Sequence, residues 1–137
     1  HILNQVMLRL HTGERSFTTH IERKKSKVDY YYSRNLTESE ICEIENRVNS
    51  IIEKGLNVNE KFLDYSEANK EHDLSKLPKD SGVMIRIIEI GDFDACPCIG
   101  QHVKNTNEIG EFRIVSSSFN DGILRIRFKL FYDSKEI

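Results

Sequence analysis

The sequence predicts an α+β domain with a largely antiparallel sheet and helices packed on one face of that sheet. Two stretches, 1–10 and 37–55, repeat apolar residues at the spacing of amphipathic helices. Much of the second half alternates apolar and polar residues instead, as half-buried strands do. The Asn-Asp-Gly sequence at 120–122 is typical of a hairpin turn, which indicates that the strands on either side of it pair antiparallel.

Composition limits the class of protein before any motif is considered. The 137 residues suffice for one domain, 1–137, whose core needs no disulfide. A net charge of −2 gives no overall basic signature, so any contact with nucleic acid must be local. No apolar run is as long as a membrane span, and three cysteines, an odd number, favour a reducing compartment. We expect a cytoplasmic protein with no membrane partner, either a monomer or a weak homodimer.

The first ten residues have the pattern of an amphipathic helix that is already under way at His1. Its apolar residues lie on one helical stripe: Ile2, Leu3, Val6, Met7 and Leu10. Gly13 suits the end of this helix, because glycine accepts a left-handed conformation. Neither an initiator Met nor a helix cap precedes the pattern, so we expect that the N-terminus is truncated.

A β-hairpin is predicted next, with strands at 16–21 and 28–32 and a basic turn at 22–27. Arg23, Lys24, Lys25 and Lys27 in this turn could contact phosphates, because such contacts depend on the placement of lysine and arginine rather than on net charge. A solvated turn is the alternative, and the run alone favours it.

The clearest helix begins after Thr37, which forms the pattern of a capping box with Glu40. Apolar residues then recur at helical spacing until Gly55 ends the run: Ile41, Ile44, Val48, Ile51 and Ile52. We expect this stripe to lie across the sheet. Cys42 falls inside the helix and is expected to be buried packing.

The middle of the chain predicts a strand at 57–63 and a short helix at 66–70 behind a serine cap, Ser66. Residues 71–82 have the composition of a connecting loop. His72 lies in that loop between two acidic residues, and we expect it to be a solvated loop histidine.

The last part of the chain is strand-like. Residues 83–90 are apolar enough for a central strand, and 112–115 alternate. After the turn at 120–122, apolar residues point one way: Leu124, Ile126, Phe128 and Leu130. Arg125, Arg127 and Lys129 point the other way, so one face packs under helices and the other is wet and basic.

Residues 96–103 place two thiols and an imidazole on a loop between two predicted strands, where binding and catalytic residues often lie. Cys98 and His102 have a C-x3-H spacing, and a thiolate with an imidazole suits zinc. Two ligands do not close a tetrahedral site, so others must come from elsewhere. The other histidines are His1, His11, His20 and His72. His11 and His20 have no partner at ligand spacing and are expected at the surface.

Other polar residues near the motif have more ordinary expected roles. Cys96 and Cys98 do not have the spacing of the redox Cys-x-x-Cys pattern, so we expect no redox role for the pair. Cys96 is expected to neighbour the site rather than bind metal. Asn105 and Glu108 are expected to tie down the loop by hydrogen bonds. Asp92 and Asp94 are expected to support the ligands. On the residues alone, a hydrogen-bonded loop histidine is the alternative for His102.

The sequence ACPCIGQHVKNTNEIGEFRI, residues 95–114, resembles the zinc-binding signature of alanyl-tRNA synthetase editing domains and their free-standing relatives, the AlaX proteins. That signature usually has a Cys-Gly-Gly-Thr-His segment followed by Asn-Thr-x-Glu-Ile-Gly. HILNQVMLRL resembles the family's first helix, LTESEICEIENRVNSIIEKGLNV the helix after the first hairpin, and DGILRIRFKL the closing strand. The resemblance covers essentially the whole chain, and it implies the fold of the threonyl and alanyl-tRNA synthetase second additional domain.

The resemblance implies a hydrolase that acts in trans on mischarged alanine tRNA, at the ester joining serine or glycine to the terminal ribose. Its partner would be the acceptor end of that tRNA. Zn²⁺ would be held by His1, Cys98 and His102, with a histidine four residues before His1 that this sequence lacks. With four protein ligands, a zinc that shapes the pocket is favoured over one that activates water, and both roles stay open.

Ser16 and Thr18 lie near the place where the family has a residue that senses the serine side chain or positions water. They are our catalytic candidates, and ordinary strand hydroxyls are the alternative. Ile99 and Gln101 replace the usual glycine and threonine of the signature, and the bulkier Ile99 is expected to narrow the space beside the ligands.

Two further functions stay open at this point. The altered motif and the missing histidine fit a module that binds alanine tRNA but has lost hydrolysis. A structural zinc module that acts on another partner is the third hypothesis.

Overall fold

Helices and strands are intermixed along the chain in a computed structural model, which describes residues 1–22, 24–74 and 84–131. The helices are α1 (Ile2–Leu10), α2 (Glu38–Lys54), α3 (Tyr65–Glu71) and a short 3₁₀ helix (Thr106–Glu108). The strands are β1 (Thr18–His20), β2 (Ser26–Tyr31), β3 (Val58–Asp64), β4 (Met84–Ile90), β5 (Asp94–Pro97), β6 (Glu111–Asn120) and β7 (Ile123–Phe131).

The strands form two antiparallel sheets. One has four strands in the order β1-β2-β7-β6, and the other has three in the order β3-β4-β5. The predicted α+β class with antiparallel strands is therefore confirmed, and the expectation of a single sheet was wrong. Apolar alternation shows which residues of a strand are buried but not which strands pair, so the sequence did not reveal the division.

The main core lies between the four-stranded sheet and two helices. Leu124, Ile126 and Phe128 alternate inward along β7, and α1 and α2 cover that side. The predicted helical stripes supply most of the facing residues: Ile2, Leu3, Val6, Met7, Ile44, Val48, Ile51 and Ile52. Helices thus pack on one face of this sheet, as predicted.

Both predicted ends of α2 are confirmed. The Thr37 hydroxyl accepts the Glu40 N–H, the Glu40 carboxylate accepts the Thr37 N–H, and Gly55 ends the helix at φ 65°. Cys42, however, is exposed. It lies one position after Ile41, on the part of the helix surface that turns away from the sheet, so its expected burial was wrong.

The hairpin turn between β6 and β7 is also confirmed. Asp121 and Gly122 both have positive φ, 52° and 79°, as a two-residue turn matching the strand twist requires. β6 is longer than the predicted 112–115, and its register shifts between Ile114 and Ser116.

β4 is the central strand of the smaller sheet and buries both of its faces, as its apolar run predicted. Ile85 and Ile87 pack with Ala68 of α3, whereas Ile90 belongs to the main core. The cap of α3 was predicted wrongly. Asp64, not Ser66, accepts the Glu67 N–H at 2.8 Å, since a carboxylate one residue before the helix is an equally good cap.

The first hairpin pairs as predicted but with different bounds. β1 has only three residues, and β2 begins at Ser26, so Ser26 and Lys27 belong to the strand rather than to the turn. Ser26 is buried, and its hydroxyl bonds the backbone of Glu22 across the turn. Arg23, and the part of the predicted loop at 75–82, lie outside the described residues.

None of the helices in the described part of the chain combines the length and apolarity needed to cross a membrane.

Candidate metal centre

Three side chains from opposite ends of the sequence meet at one place. The ligand atoms of His1, Cys98 and His102 all lie within 4.8 Å of one another. The Nε2 atoms of His1 and His102 are 2.7 Å apart, and their rings stack with centroids 4.8 Å apart. Of the four histidines considered as additional ligands, His1 is the one that lies beside Cys98 and His102 among the described residues.

The first helix positions His1, which directly precedes it. Gln5, one turn further on, donates to the Phe93 carbonyl at 3.0 Å and to the Asp94 carboxylate at 3.2 Å. Arg9, another turn on, donates to the same Phe93 carbonyl at 2.8 Å, and its guanidinium lies over the Phe93 ring. These contacts fix α1 against the β4–β5 turn and so hold its first residue beside the strand that leads to Cys98.

Arg86 holds the loop that carries Cys98. It lies on β4, donates to the Gly100 carbonyl at 2.7 Å and the Cys98 carbonyl at 3.3 Å, and is itself held by Glu60 at 2.6 Å. Its role was not predicted from the sequence. An arginine between the apolar residues Ile85 and Ile87 was the available signal, because a largely buried strand does not place a charge there without a partner.

The loop after His102 is fastened to the end of α2. Glu108 accepts the N–H groups of Lys104 and Asn105, and the Asn105 amide donates to the Gly55 carbonyl at 2.8 Å. The predicted role of Asn105 and Glu108 is therefore confirmed. Thr106 was missed: its fully buried hydroxyl lies 3.0 Å from the Ile51 carbonyl and accepts the Leu56 N–H at 2.9 Å.

A buried ion pair adjoins the cluster. Asp94 is 5% exposed and accepts Arg15 at 2.6 Å, in addition to the bond from Gln5. Asp94 therefore braces the helix that carries His1, whereas Asp92 is exposed on the turn. The role of Arg15 was not predicted from the sequence either.

The protonation chemistry of the site favours metal binding. Burial lowers the pKa of His102, and the positive charge of Arg86 acts in the same direction, so the neutral imidazole that a metal needs is the stable form. Burial raises the pKa of Cys96, and its thiol donates to the Pro97 carbonyl. Two imidazole nitrogens and one cysteine sulfur are a donor set that zinc prefers, so these residues fit the ion.

Ser16 and Thr18 are placed differently from each other. Ser16 is buried, its N–H donates to Asn4 on α1 at 3.1 Å, and its hydroxyl bonds the Thr19 hydroxyl at 2.8 Å. Thr18 lies opposite Asp29, on the face that the helices do not cover. The geometry therefore associates Ser16, but not Thr18, with the helix that carries His1.

The exposure of four other residues can be compared with expectation. His11 is not a surface residue: its side chain is 8% exposed and lies 3.7 Å from Glu40, because α1 ends against the start of α2. His20 is exposed beside Glu22, as expected. The side chain of His72 is only 13% exposed, so it is not solvated. Ile99 is 69% exposed and does not narrow a pocket, because it lies at the outside of the loop.

Residues 85–127, from β4 into β7, match the family described as "Threonyl and Alanyl tRNA synthetase second additional domain". The α+β architecture with antiparallel sheets described above is the fold that this family implies.

Curated relatives extend the similarity beyond the family match. An alanine–tRNA ligase of Fervidobacterium nodosum is 36% identical over 128 residues, covering 92% of this chain and 15% of that ligase. One from Thermoanaerobacter sp. strain X514 is 41% identical over 101 residues, or 73% of this chain and 12% of that ligase. One from Borrelia garinii subsp. bavariensis is 32% identical over 130 residues, or 93% of this chain and 22% of that ligase.

The chain thus spans between 12% and 22% of the length of these ligases. Its own signature cysteine and histidine lie within the matched residues 85–127. The chain is therefore similar to the threonyl and alanyl-tRNA synthetase second additional domain over residues 85–127, and to alanine–tRNA ligases over 73% to 93% of its length.

Proposed function

We propose that this domain hydrolyses the aminoacyl ester of alanine tRNA that carries serine or glycine, at a Zn²⁺ site formed by His1, Cys98 and His102. The observation that carries the proposal is the convergence of these three ligand atoms within 4.8 Å, in a chain similar to alanine–tRNA ligases. The partner is the acceptor end of the mischarged tRNA.

The chemistry of the substrates explains why such a site is needed. A pocket sized for alanine cannot sterically refuse glycine, and it discriminates only modestly against one added hydroxyl, so a second site must remove the errors. A hydrolytic site for the ester must bind the terminal ribose and admit a water.

The side chains around the cluster have separate roles in this proposal. Zinc, when bound, supplies either a Lewis acid for water and ester or a fixed anchor that shapes the pocket. The imidazoles of His1 and His102 and the Cys98 sulfur would hold it. Arg86 keeps the Cys98 loop in place, and the Ser16 hydroxyl is the group that senses the substrate side chain or orients water.

The first experiment measures zinc content and deacylation of serine-charged alanine tRNA on the natural full-length gene product. We expect about one zinc per domain. Cys98→Ser should lose most of the metal and loosen the loop 94–110, because metal binding and local folding are coupled. Cys96→Ser is the matched control and should keep its zinc, since the Cys96 thiol lies outside the converging group.

Several results would contradict the proposal. Unchanged metal content in Cys98→Ser would refute the ligand set. Zinc without deacylation would favour a binding or structural module of the same fold, and an absence of RNA binding at low salt would favour the structural module.

A second comparison concerns the catalytic candidates. Ser16→Ala should slow deacylation at constant zinc content, and Thr18→Ala is compared with it. A larger effect of Thr18→Ala would show that the hydroxyl on the uncovered face acts in the reaction. Action in trans is tested by the natural gene product: an attached ligase core would contradict it.

A further inference from the structure

The four-stranded sheet has one face that none of the helices in the described part of the chain covers, and this face is rich in positive charge. Because α1 and α2 pack on the side of Val28 and Ile126, the alternate residues of each strand project from the other side. The cationic residues there are Lys27 on β2, Arg113 on β6, and Arg125, Arg127 and Lys129 on β7. We call these five residues the basic sheet face.

The strand register arranges these cations in rows. Lys27 lies directly opposite Arg127, and Arg113 lies opposite Lys129. Side chains of directly opposite residues in antiparallel strands are close neighbours. Like charges in that arrangement repel one another and destabilise the sheet. Binding of an anionic partner would offset this repulsion.

Only two of the five cations are neutralised. Arg125 forms a two-bond ion pair with Asp29, and Arg113 pairs with Glu111 at 2.9 Å. No acidic side chain in the described ranges 1–22, 24–74 and 84–131 forms an ion pair with Lys27, Arg127 or Lys129. The charge is therefore local, in a chain whose net charge is −2.

The surroundings extend the same chemistry. The hydrogen bond from Arg125 holds the pKa of Asp29 below its usual range against its burial, and the charges of Lys27 and Arg127 act in the same direction. A cavity of about 240 Å³ beside Lys27 is also lined by Lys25, Arg125 and Arg127, and the one acid among its lining residues, Glu22, is paired with His20. Hydroxyl groups are present too, since Arg127 lies 3.4 Å from both Ser116 and Ser118.

Two aromatic rings lie at the margins of this face. Tyr31 is 60% exposed and stacks on Phe17 with centroids 4.1 Å apart. Phe131 is 37% exposed, under the guanidinium of Arg113. Unneutralised cations, hydroxyls and exposed rings on one sheet face are the groups that contact phosphates, sugars and unpaired bases of RNA.

We propose that the basic sheet face docks the phosphate backbone of the acceptor arm of the tRNA whose end enters the metal centre. This inference rests on the proposed function. The first strand links the two places: Ser16, just before β1, bonds α1 one turn from His1, and β1 then runs to His20, opposite Lys27. A duplex on the open face can thus present its end to the centre from the edge of the sheet.

A second positively charged surface competes with this one and supplies the control. A groove of about 800 Å³ between α1 and α2 is lined by Arg9, Arg47 and Lys54. Glu43 lines the same groove and offsets one of its three positive charges, and the Arg9 guanidinium is already engaged by the Phe93 carbonyl, so fewer free cations face an incoming phosphate there.

The test uses uncharged, fluorescently labelled alanine tRNA and the full chain, titrated by anisotropy at several salt concentrations. Lys27→Glu, Arg127→Glu and Lys129→Glu together should weaken binding at least about tenfold and reduce the slope of log K against log salt by about 2–3. The control combines Arg47→Glu and Lys54→Glu in the groove with Lys70→Glu on α3, which belongs to neither surface, and should bind as the wild type does. In deacylation, the face variant should raise KM and leave kcat unchanged.

Each outcome decides a different claim. If the face variant binds as the wild type does, or only the control loses binding, the docking face is wrong while the proposed function stands. If the wild type binds no tRNA at low salt, the proposed function and the docking face both fail. Circular dichroism melting verifies folding, and the glutamine versions of the three face substitutions replace the glutamates if the latter unfold.

Discussion

Thr106 shows how one small side chain can join the loop after the candidate metal centre to a helix. Its hydroxyl lies within 3.2 Å of the Ile51 and Ile52 carbonyls at the open end of α2 and also accepts the Leu56 N–H. A helix runs out of internal partners at this end, so the hydroxyl supplies a partner to the Ile51 carbonyl and the Leu56 N–H; the Ile52 carbonyl also accepts the Gly55 N–H.

We expect Thr106→Val, which keeps the shape and removes the hydroxyl, to lower the free energy of unfolding by about 1–3 kcal/mol. Urea denaturation measures this, with Thr106→Ser as the control that keeps the oxygen. Equal stability of the valine and serine variants would contradict the role assigned to the hydroxyl.

At this scale the sequence predicts some residues and not others. Asn105 and Glu108 form a local capping pattern, and their bonds could be foreseen from neighbouring positions alone. The roles of Arg86, Arg15 and Asp94 depend on partners up to 89 residues away, and the local sequence does not identify those partners. The burial expected for Cys42 was wrong for a different reason. Burial of a residue beside the apolar stripe depends on the exact rotation of the helix about its axis, which the stripe alone does not determine.

Among the elements, α2 has the most completely determined start. Glu40 accepts the Thr37 N–H and forms a two-bond pair with Arg34 at 2.7 and 2.8 Å. The hydrogen bonds from Arg34, and then that from Thr37, lower the pKa of Glu40 from 4.5 to about 2. Because the pKa is lowered on folding, the ionised carboxylate stabilises the fold above pH 4.5, and this contribution is lost as the pH falls towards 2.

We therefore expect the free energy of unfolding to fall more steeply between pH 5 and pH 2 in the wild type than in Glu40→Gln. Glu38→Gln changes an acid of the same turn without touching the Arg34 pair and should keep the wild-type pH dependence. Urea denaturation at a series of pH values measures the difference, and parallel curves for wild type and Glu40→Gln would contradict it.

Elements with local signals were predicted well. The capping box, the left-handed Gly55 and the turn at Asp121 and Gly122 are each encoded within a few residues. The cap of α3 was predicted wrongly because Asp64 and Ser66 both suit a helix N-cap. They are only two residues apart, which is within the uncertainty of a helix boundary. The strand bounds around Ser26 shifted because β7 extends the pairing of β2 into what reads as a turn.

In the whole molecule, the two sheets are joined around α1. Arg15, which follows α1, pairs with the buried Asp94 of β5, and Gln5 within α1 bonds the same carboxylate. The segment carrying Ser16 and the strand leading to Cys98 are thereby held to one helix, whose first turn presents His1.

Removing one side of this pair should be costly. We expect Arg15→Gln to lower the free energy of unfolding by about 1–3 kcal/mol, because it leaves a buried carboxylate with fewer donors. The double variant Arg15→Gln, Asp94→Asn should recover part of that loss, since no charge remains buried. A double-mutant cycle by urea denaturation measures the coupling, and strictly additive losses would show that the two residues act independently.

The pairing of β2 with β7 also governs the order in which the chain can be completed. Val28 pairs with Ile126, so the middle of the four-stranded sheet joins segments nearly a hundred residues apart. A fold with such distant pairings closes its large loops late and is correspondingly slow. During synthesis, the edge of β2 that pairs with β7 stays without its partner until β7 leaves the ribosome. The candidate metal site is likewise incomplete until Cys98 and His102, about a hundred residues after His1, have been synthesised.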